Sequence, residues 1–243
     1  MTGKKNPLES LGITTARDAA EQKGVGLLYF GESGSGKSFG VATAPNPLVM
    51  LTEKNGLKSI QQANPDCRVA ITTTADQVRA VMMAAMNGSL AAAGIETLCV
   101  DGLTEVQRIF IDEIRGPDQR PMEIGDWGKL TEQMRRFCRC LRDLDIHVVC
   151  TALSTTEKDE ATGHFRVWPA FQGRKLHSEV MQFFNAVGYC FKREQPEEGG
   201  GVSIEHRIMW QGPSRYAVKP CGSITGITST NITEVINLLS MGE

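Results

Sequence analysis

The run Gly31-Glu32-Ser33-Gly34-Ser35-Gly36-Lys37-Ser38 constrains this chain more than any other stretch. It completes the pattern G-x-x-x-x-G-K-[ST], and its flanks suit it. The apolar residues 25–30 read as a buried strand before it, and a helix is expected to start at about Lys37. Glycines in such a turn let backbone N–H groups converge on phosphate oxygens, at a helix start whose dipole favours anions. Lys37 is expected to reach the β- and γ-phosphates of ATP, and Ser38 to ligate Mg2+. A strand, this turn and a helix in succession demand an α/β fold.

The rest of the chain keeps that alternation. Residues 48–51 read as a second buried strand ending at Thr52-Glu53, and 68–72 as a third. Pro45 and Pro47 are expected to stop the first helix. A helix is expected over 74–86, with Asn87-Gly88 as its stop, and a strand over 97–100 that ends at Asp101. Two further helices follow. The first runs from about 103 to 115 and is broken by the Gly- and Pro-containing residues 116–121. The second has the clearest pattern in the chain: Leu130, Met134, Phe137, Leu141 and Leu144 share a face, opposite Arg135, Arg139 and Arg142. That arginine stripe reads as a solvated helix face. Residues 146–151 read as a strand and 154–172 as a long polar and aromatic loop. After a short helix, strands are expected over 186–192 and 203–210. Asn231, with Glu234 three residues on, reads as a capping box for a final helix. The pattern predicts a mostly parallel sheet flanked by helices, with a C-terminal antiparallel extension. Residues 1–23 read as an N-terminal arm and 24–243 as one nucleotide-binding domain.

Several acids could complete the chemistry. Asp101 ends an apolar strand, where a carboxylate can hold the magnesium shell beside Ser38; it also reads as a cap for the helix after it. Gly102, not Glu, follows it, so another acid has to activate water if hydrolysis occurs. Glu53 should point into the crevice at the carboxyl ends of the strands. Glu105, one turn after Asp101, is its rival. Thr151 ends a strand at the same edge, where a hydroxyl could sense the γ-phosphate.

These residues carry a family resemblance. The chain resembles the RecA-like core ATPases, and among them the phage nucleotide-binding proteins that include RecA-like single-strand annealing proteins. The matching pieces are 31–38, Leu51-Thr52-Glu53-Lys54-Asn55-Gly56, Leu98-Cys99-Val100-Asp101, Asp126-Trp127-Gly128-Lys129-Leu130, Val148-Val149-Cys150-Thr151-Ala152 and Tyr216-Ala217-Val218-Lys219. The resemblance implies a RecA-like P-loop core with a catalytic Glu at Glu53. It also implies a cation that reaches a neighbour's ATP, at Lys219 with Arg215 as the weaker choice. Pro220-Cys221 stand where relatives often carry an acidic-basic pair. Assembly with itself as a ring or filament is implied, as are single-stranded DNA and a single-strand binding protein as partners. The DNA loops would fall at 116–125 and 154–175. The second holds Lys158, Arg166, Arg174 and Lys175 among Phe165, Trp168 and Phe171, cations for phosphates and rings for bases. Arg166, Trp168, Arg174 and Lys175 are the DNA-binding candidates. Two other readings stay open: an ATP-dependent assembly or switch protein whose loops contact protein, and a small-molecule kinase.

Composition narrows this further. The 243 residues carry a net charge of −2, so nucleic acid would have to be met by a local basic patch. The start, Met1-Thr2-Gly3-Lys4-Lys5, lacks the apolar core of a signal peptide. No apolar run approaches the roughly 20 residues of a membrane span. The seven cysteines, odd in number and without a C-x-x-C pair, read as buried thiols of a cytoplasmic protein.

Overall fold

The computed structural model describes residues 24–158, 163–173, 176–196 and 201–240, together with Ile13 and Thr15. The expected arm over 1–23 lies almost wholly outside the described residues, as do Arg174 and Lys175.

Among the described residues nine strands form one sheet: β1 (Gly26–Gly31), β2 (Pro47–Leu51), β3 (Arg68–Ile71), β4 (Thr97–Asp101), β5 (His147–Lys158), β6 (Phe165–Pro169), β7 (Ala186–Pro196), β8 (Val202–Met209) and β9 (Ile227–Ser229). Their order is β3-β2-β4-β5-β1-β7-β8-β9, with β6 paired to β5 off that path. From β3 to β7 every pairing is parallel. β8 and β9 then extend the sheet antiparallel. The mostly parallel α/β sheet with an antiparallel C-terminal extension is therefore as the sequence predicts.

The central strands are apolar on both faces because both are covered. Leu28 and Phe30 of β1 and Leu98 and Val100 of β4 enter one core. That core is closed by α3 (Ala75–Met86), α5 (Leu103–Arg115) and α6 (Ile124–Arg142). Leu27, Tyr29 and Cys99, one residue out of step, enter the other. Around it lie α1 (Lys37–Val41), α2 (Leu57–Ala63) and α8 (Ile232–Ser240). Two short helices, α4 (Ser89–Ala92) and α7 (Leu176–Met181), complete the set. The alternation follows from the period-2 side-chain geometry of a strand. The apolar stripe of α6 is buried from Leu130 to Leu141, as its spacing requires.

Several expectations need correction. α1 ends at Val41, before Pro45 and Pro47, and Pro47 opens β2. Residues 154–158 and 165–169 are strand, not loop: β5 continues to Lys158 and pairs antiparallel with β6, from Ser154 opposite Pro169 to Lys158 opposite Phe165. β-branched and aromatic residues (Thr155, Thr156, Phe165, Val167, Trp168) suit this ribbon. The 116–125 segment is tied down. Arg115 donates to the carbonyls of Gln119 and Arg120, and Arg120 pairs with Asp126, which is already within α6. The arginine stripe is only partly solvated, since Arg135 makes a two-pronged pair with Glu179 at 2.8 and 2.9 Å.

Candidate functional site

β1 delivers the chain to the phosphate loop at the centre of the sheet, and β4 delivers Asp101 two strands away. In an open parallel sheet this is the crevice where ligands bind, at the carboxyl ends of the strands. A cleft of about 560 Å³ lies there, walled by the loop, Glu53, Asp101 and Thr151.

The loop needs its glycines. Gly36 takes a φ of 94°, and a side chain there would also come within 2.7 Å of the His206 ring. The Lys37 ammonium is held over the loop, donating to the carbonyls of Gly31 (3.0 Å) and Glu32 (2.7 Å) and to the Ser35 hydroxyl (3.3 Å). Burial lowers its pKa, against the nearby negative groups Asp101, Glu53 and Glu32. From below, the Tyr29 hydroxyl donates to the Lys37 carbonyl at 2.9 Å. The Cys190 thiol donates to the Ser35 carbonyl at 3.0 Å, and burial pushes that thiol up to about 11.

Asp101 lies at the floor, 7% exposed. Thr151 donates to its Oδ1 at 2.7 Å and accepts from the Gly102 amide at 2.9 Å, so one hydroxyl fixes both the carboxylate and the turn after it. Thr52 donates to the Asp101 carbonyl at 2.9 Å. Burial raises the Asp101 pKa, opposed by the hydroxyls of Ser38 and Thr151 and by the Lys37 charge. The hydroxyl of Ser38 is hydrogen-bonded to the carboxylate of Asp101, and two such oxygens are ligands that a magnesium ion accepts. The backbone makes room for an ion there. A Cβ on Gly56 would sit 3.1 Å from Asp101 Oδ2 and 3.3 Å from Ser38 Oγ, filling the cradle between them. The site therefore fits Mg2+ on its geometry.

The two candidate bases differ. Glu53 precedes a 3-10 turn (Lys54–Gly56), is exposed on the cleft wall, and has no side-chain partner among the described residues. Glu105 also borders the cleft, but its carboxylate pairs with Arg108 at 2.9 Å.

The remaining sequence candidates lie elsewhere. The Lys219 ammonium donates to the Phe184 carbonyl at 2.7 Å. Asn185, next to Phe184, bonds Gly26 at the opposite end of β1 from the phosphate loop, so Lys219 is not part of this chain's own cleft. Arg215 lies over the Tyr216 ring at 4.8 Å. Trp168 is half-buried, with the His177 ring at 4.6 Å and the Arg166 guanidinium at 4.3 Å from its own.

Some residues carried no sequence signal. Thr104 and Gln107, at the start of α5, are buried and bind the β5–β6 ribbon and the segment after it. Thr104 accepts from the Leu153 amide and donates to the Ala170 carbonyl, both at 3.0 Å. Gln107 makes two 2.7 Å bonds with the backbone of Gln172. From β7 and β8 come Lys192, whose ammonium lies 3.5 Å from where a Gly34 side chain would begin, and His206 beside Gly36. These two are partners across the strand pair.

Strand order, phosphate loop and the Ser38–Asp101 pair together define a P-loop ATPase. Residues 23–217 match the family described as AAA domain, and the chain belongs to that family. No curated protein sequence matches it. Among solved structures it is similar to the assembled ATPase EscN of the enteropathogenic E. coli type III secretion system. Identity is 14% and the TM-score 0.42, over 69% of this chain and 43% of that one. The chain thus spans less than half the length of that ATPase. The strands and the loop, not that likeness, define the fold. Among the described residues no helix is long and apolar enough to cross a membrane.

Proposed function

We propose that this chain is a magnesium-dependent ATPase of the RecA-like type that couples hydrolysis to the binding of single-stranded DNA, in recombination or replication of a phage. One observation carries the ATPase part: Ser38 is hydrogen-bonded to Asp101, and Lys37 and Glu53, the latter without a side-chain partner among the described residues, line the same cleft. Ser38 and Asp101 would hold magnesium, which supplies charge neutralisation at the phosphates when bound. Lys37 binds and orients the β- and γ-phosphates. Thr151 keeps Asp101 turned toward the cradle. Glu53 takes the proton of the attacking water.

The DNA part is supported by the family resemblance and by the cations and rings of the β5–β6 ribbon. Thr104 and Gln107 supply a physical link, since they tie the helix that follows Asp101 to that ribbon. A second reading has its own support. The Trp168 ring is already contacted by Arg166 and His177, while Phe165 is 63% exposed, and this favours a ribbon that meets protein. That would make the chain an ATP-dependent assembly or switch protein. Lys219, directed away from its own cleft, suits action on a neighbouring copy's nucleotide in a ring or filament.

ATP hydrolysis measured with and without a single-stranded oligonucleotide separates the readings. Stimulation that weakens as salt rises is expected. Turnover indifferent to DNA at low salt would remove the DNA reading and leave the second. Glu53→Gln should keep ATP affinity and lose hydrolysis by about 10²-fold or more. If Glu105→Gln shows that loss instead, the base is misassigned.

A further inference from the structure

The phosphate loop is held from beneath as well as shaped by its own glycines. β7 lies beside β1 in a register that places Phe30 opposite Tyr189, so Cys190 comes level with Gly31, the first residue of the loop. Gly31 permits the approach, because a side chain there would collide with the Cys190 carbonyl oxygen. Cys190 and Tyr29 are both fully buried, in the core on the sheet face that α1 covers. Each commits its one hydrogen to a loop carbonyl. The Cys190 thiol donates to Ser35 at 3.0 Å, and the Tyr29 hydroxyl donates to Lys37 at 2.9 Å. Burial raises the pKa of both groups, so both keep those hydrogens near neutral pH.

These carbonyls matter through the amides joined to them. In a planar trans peptide the C=O and the N–H that follows point in opposite directions. With the Ser35 carbonyl turned to Cys190, the Gly36 N–H faces away from β7, and Gly36 lines the cleft. With the Lys37 carbonyl turned to Tyr29, the Ser38 N–H faces away from β1, and Ser38 lines the cleft as well. The Ser35–Gly36 peptide is the one that needs a lock. Gly36 has no Cβ and sits at a φ of 94°, so its own backbone preference leaves that peptide plane free to turn. Turned over, the plane would put a carbonyl oxygen where an anion needs an N–H.

We propose that Cys190 is a positioning residue of the nucleotide site: its thiol locks the Ser35–Gly36 peptide with the N–H toward the phosphates, and Tyr29 supports the next turn from β1. The inference rests on the reading of the cleft as a nucleotide site. It adds that the loop does not fix its anion-binding form alone, and that a residue of β7, far along the chain, completes it.

The test is a titration of the full chain with MgATP, with the melting temperature of each variant measured alongside. Cys190→Ala removes the donor and should weaken MgATP by roughly tenfold, the size of one hydrogen bond. Cys190→Val fills the thiol's space without a donor. It should match Cys190→Ala, and it carries the test if the alanine variant does not fold. Cys190→Ser returns a donor and should recover affinity to within about threefold of wild type. It should do so even though a hydroxyl in that apolar setting lowers the melting temperature. Tyr29→Phe leaves the Cys190 lock in place and should weaken MgATP by only about threefold. A purely structural role predicts a different order: affinity per folded molecule would be unchanged, or would follow melting temperature with Cys190→Ser no better than Cys190→Ala. Either result would overturn the lock and leave the nucleotide site standing. If wild type does not bind MgATP, or Lys37→Ala binds it as wild type does, the nucleotide-site reading falls and the lock falls with it.

Discussion

Asp101 and Asp126 are both buried, at 7% and 2% exposure, and the protein treats them in opposite ways. Asp126, in the first turn of α6, is surrounded by cationic donors. Arg120 reaches Oδ2 at 2.6 Å, Lys129 reaches Oδ1 at 3.0 Å, and the Glu123 amide adds a third bond. Those partners hold its carboxyl well below the usual range. Asp101, at the end of β4, has neutral hydroxyls from Ser38 and Thr151 as its side-chain donors, with the Lys37 charge further off, and burial lifts its pKa instead. A carboxylate that only has to hold a loop is satisfied within the chain. The one proposed to hold a cation is left short of positive charge, at a cost to the fold.

The sharpest way to break this comparison is to neutralise both acids in turn. Asp101→Asn should reduce magnesium-dependent hydrolysis by about a hundredfold or more, because it removes a metal oxygen ligand. The melting temperature should hold or rise, since a buried charge has gone. A large fall in stability would make Asp101 structural. Asp126→Asn should do the reverse: a melting temperature lowered by several degrees, with turnover per folded molecule close to wild type. It strands Arg120 and loosens the 116–123 segment. Loss of activity without loss of stability would sink the structural role.

A smaller effect concerns acid. The Asp126 pKa is depressed on folding, so its stabilisation is present above the ordinary aspartate pKa of about 3.9 and is lost as pH falls toward the folded value. Asp101 has the opposite sign, because its folded pKa is raised: its contribution is greatest at low pH and declines as pH rises. Thermal melts between roughly pH 6 and 3 should therefore show a shallower acid decline in Asp126→Asn than in wild type. Parallel declines would mean that Asp126 is not the group responsible.

How much of this was legible in the sequence depends on distance along the chain. The placement of Lys37 and Ser38 was readable because strand, loop and helix are contiguous. That Asp101, Glu53 and Thr151 border one cleft was readable because each lies at the end of an apolar run, and parallel strands present such ends along one edge. Gly56 left only a faint trace, a glycine shortly after the acid at a strand end. His206 and Lys192 left none. Their approach to the loop depends on the β7–β8 register and on β7 lying beside β1, which no local pattern encodes. The β5–β6 ribbon was mistaken for a loop for a related reason. β6 pairs along its length with β5 and meets the Arg215–Ala217 segment only through Val167, and its mixed charged and apolar residues lack the buried signature of the central strands.

The place of β5 in the sheet carries a further consequence. Neighbouring strands stand about 4.8 Å apart, so one strand interposed between β1 and β4 holds loop and acid roughly 10 Å from each other. β5 is thus a spacer that sets the gauge of the cleft, and Thr151 is the mark on it that faces Asp101. Strand side chains alternate, so a slip of one residue would offer Cys150 or Ala152 in place of that hydroxyl. The fidelity of the cleft is therefore kept partly by Val148, Val149 and Cys150, apolar residues that lock the register from within the two cores and do not line the cleft. Repacking them is expected to detune the site while leaving every residue that lines it in place.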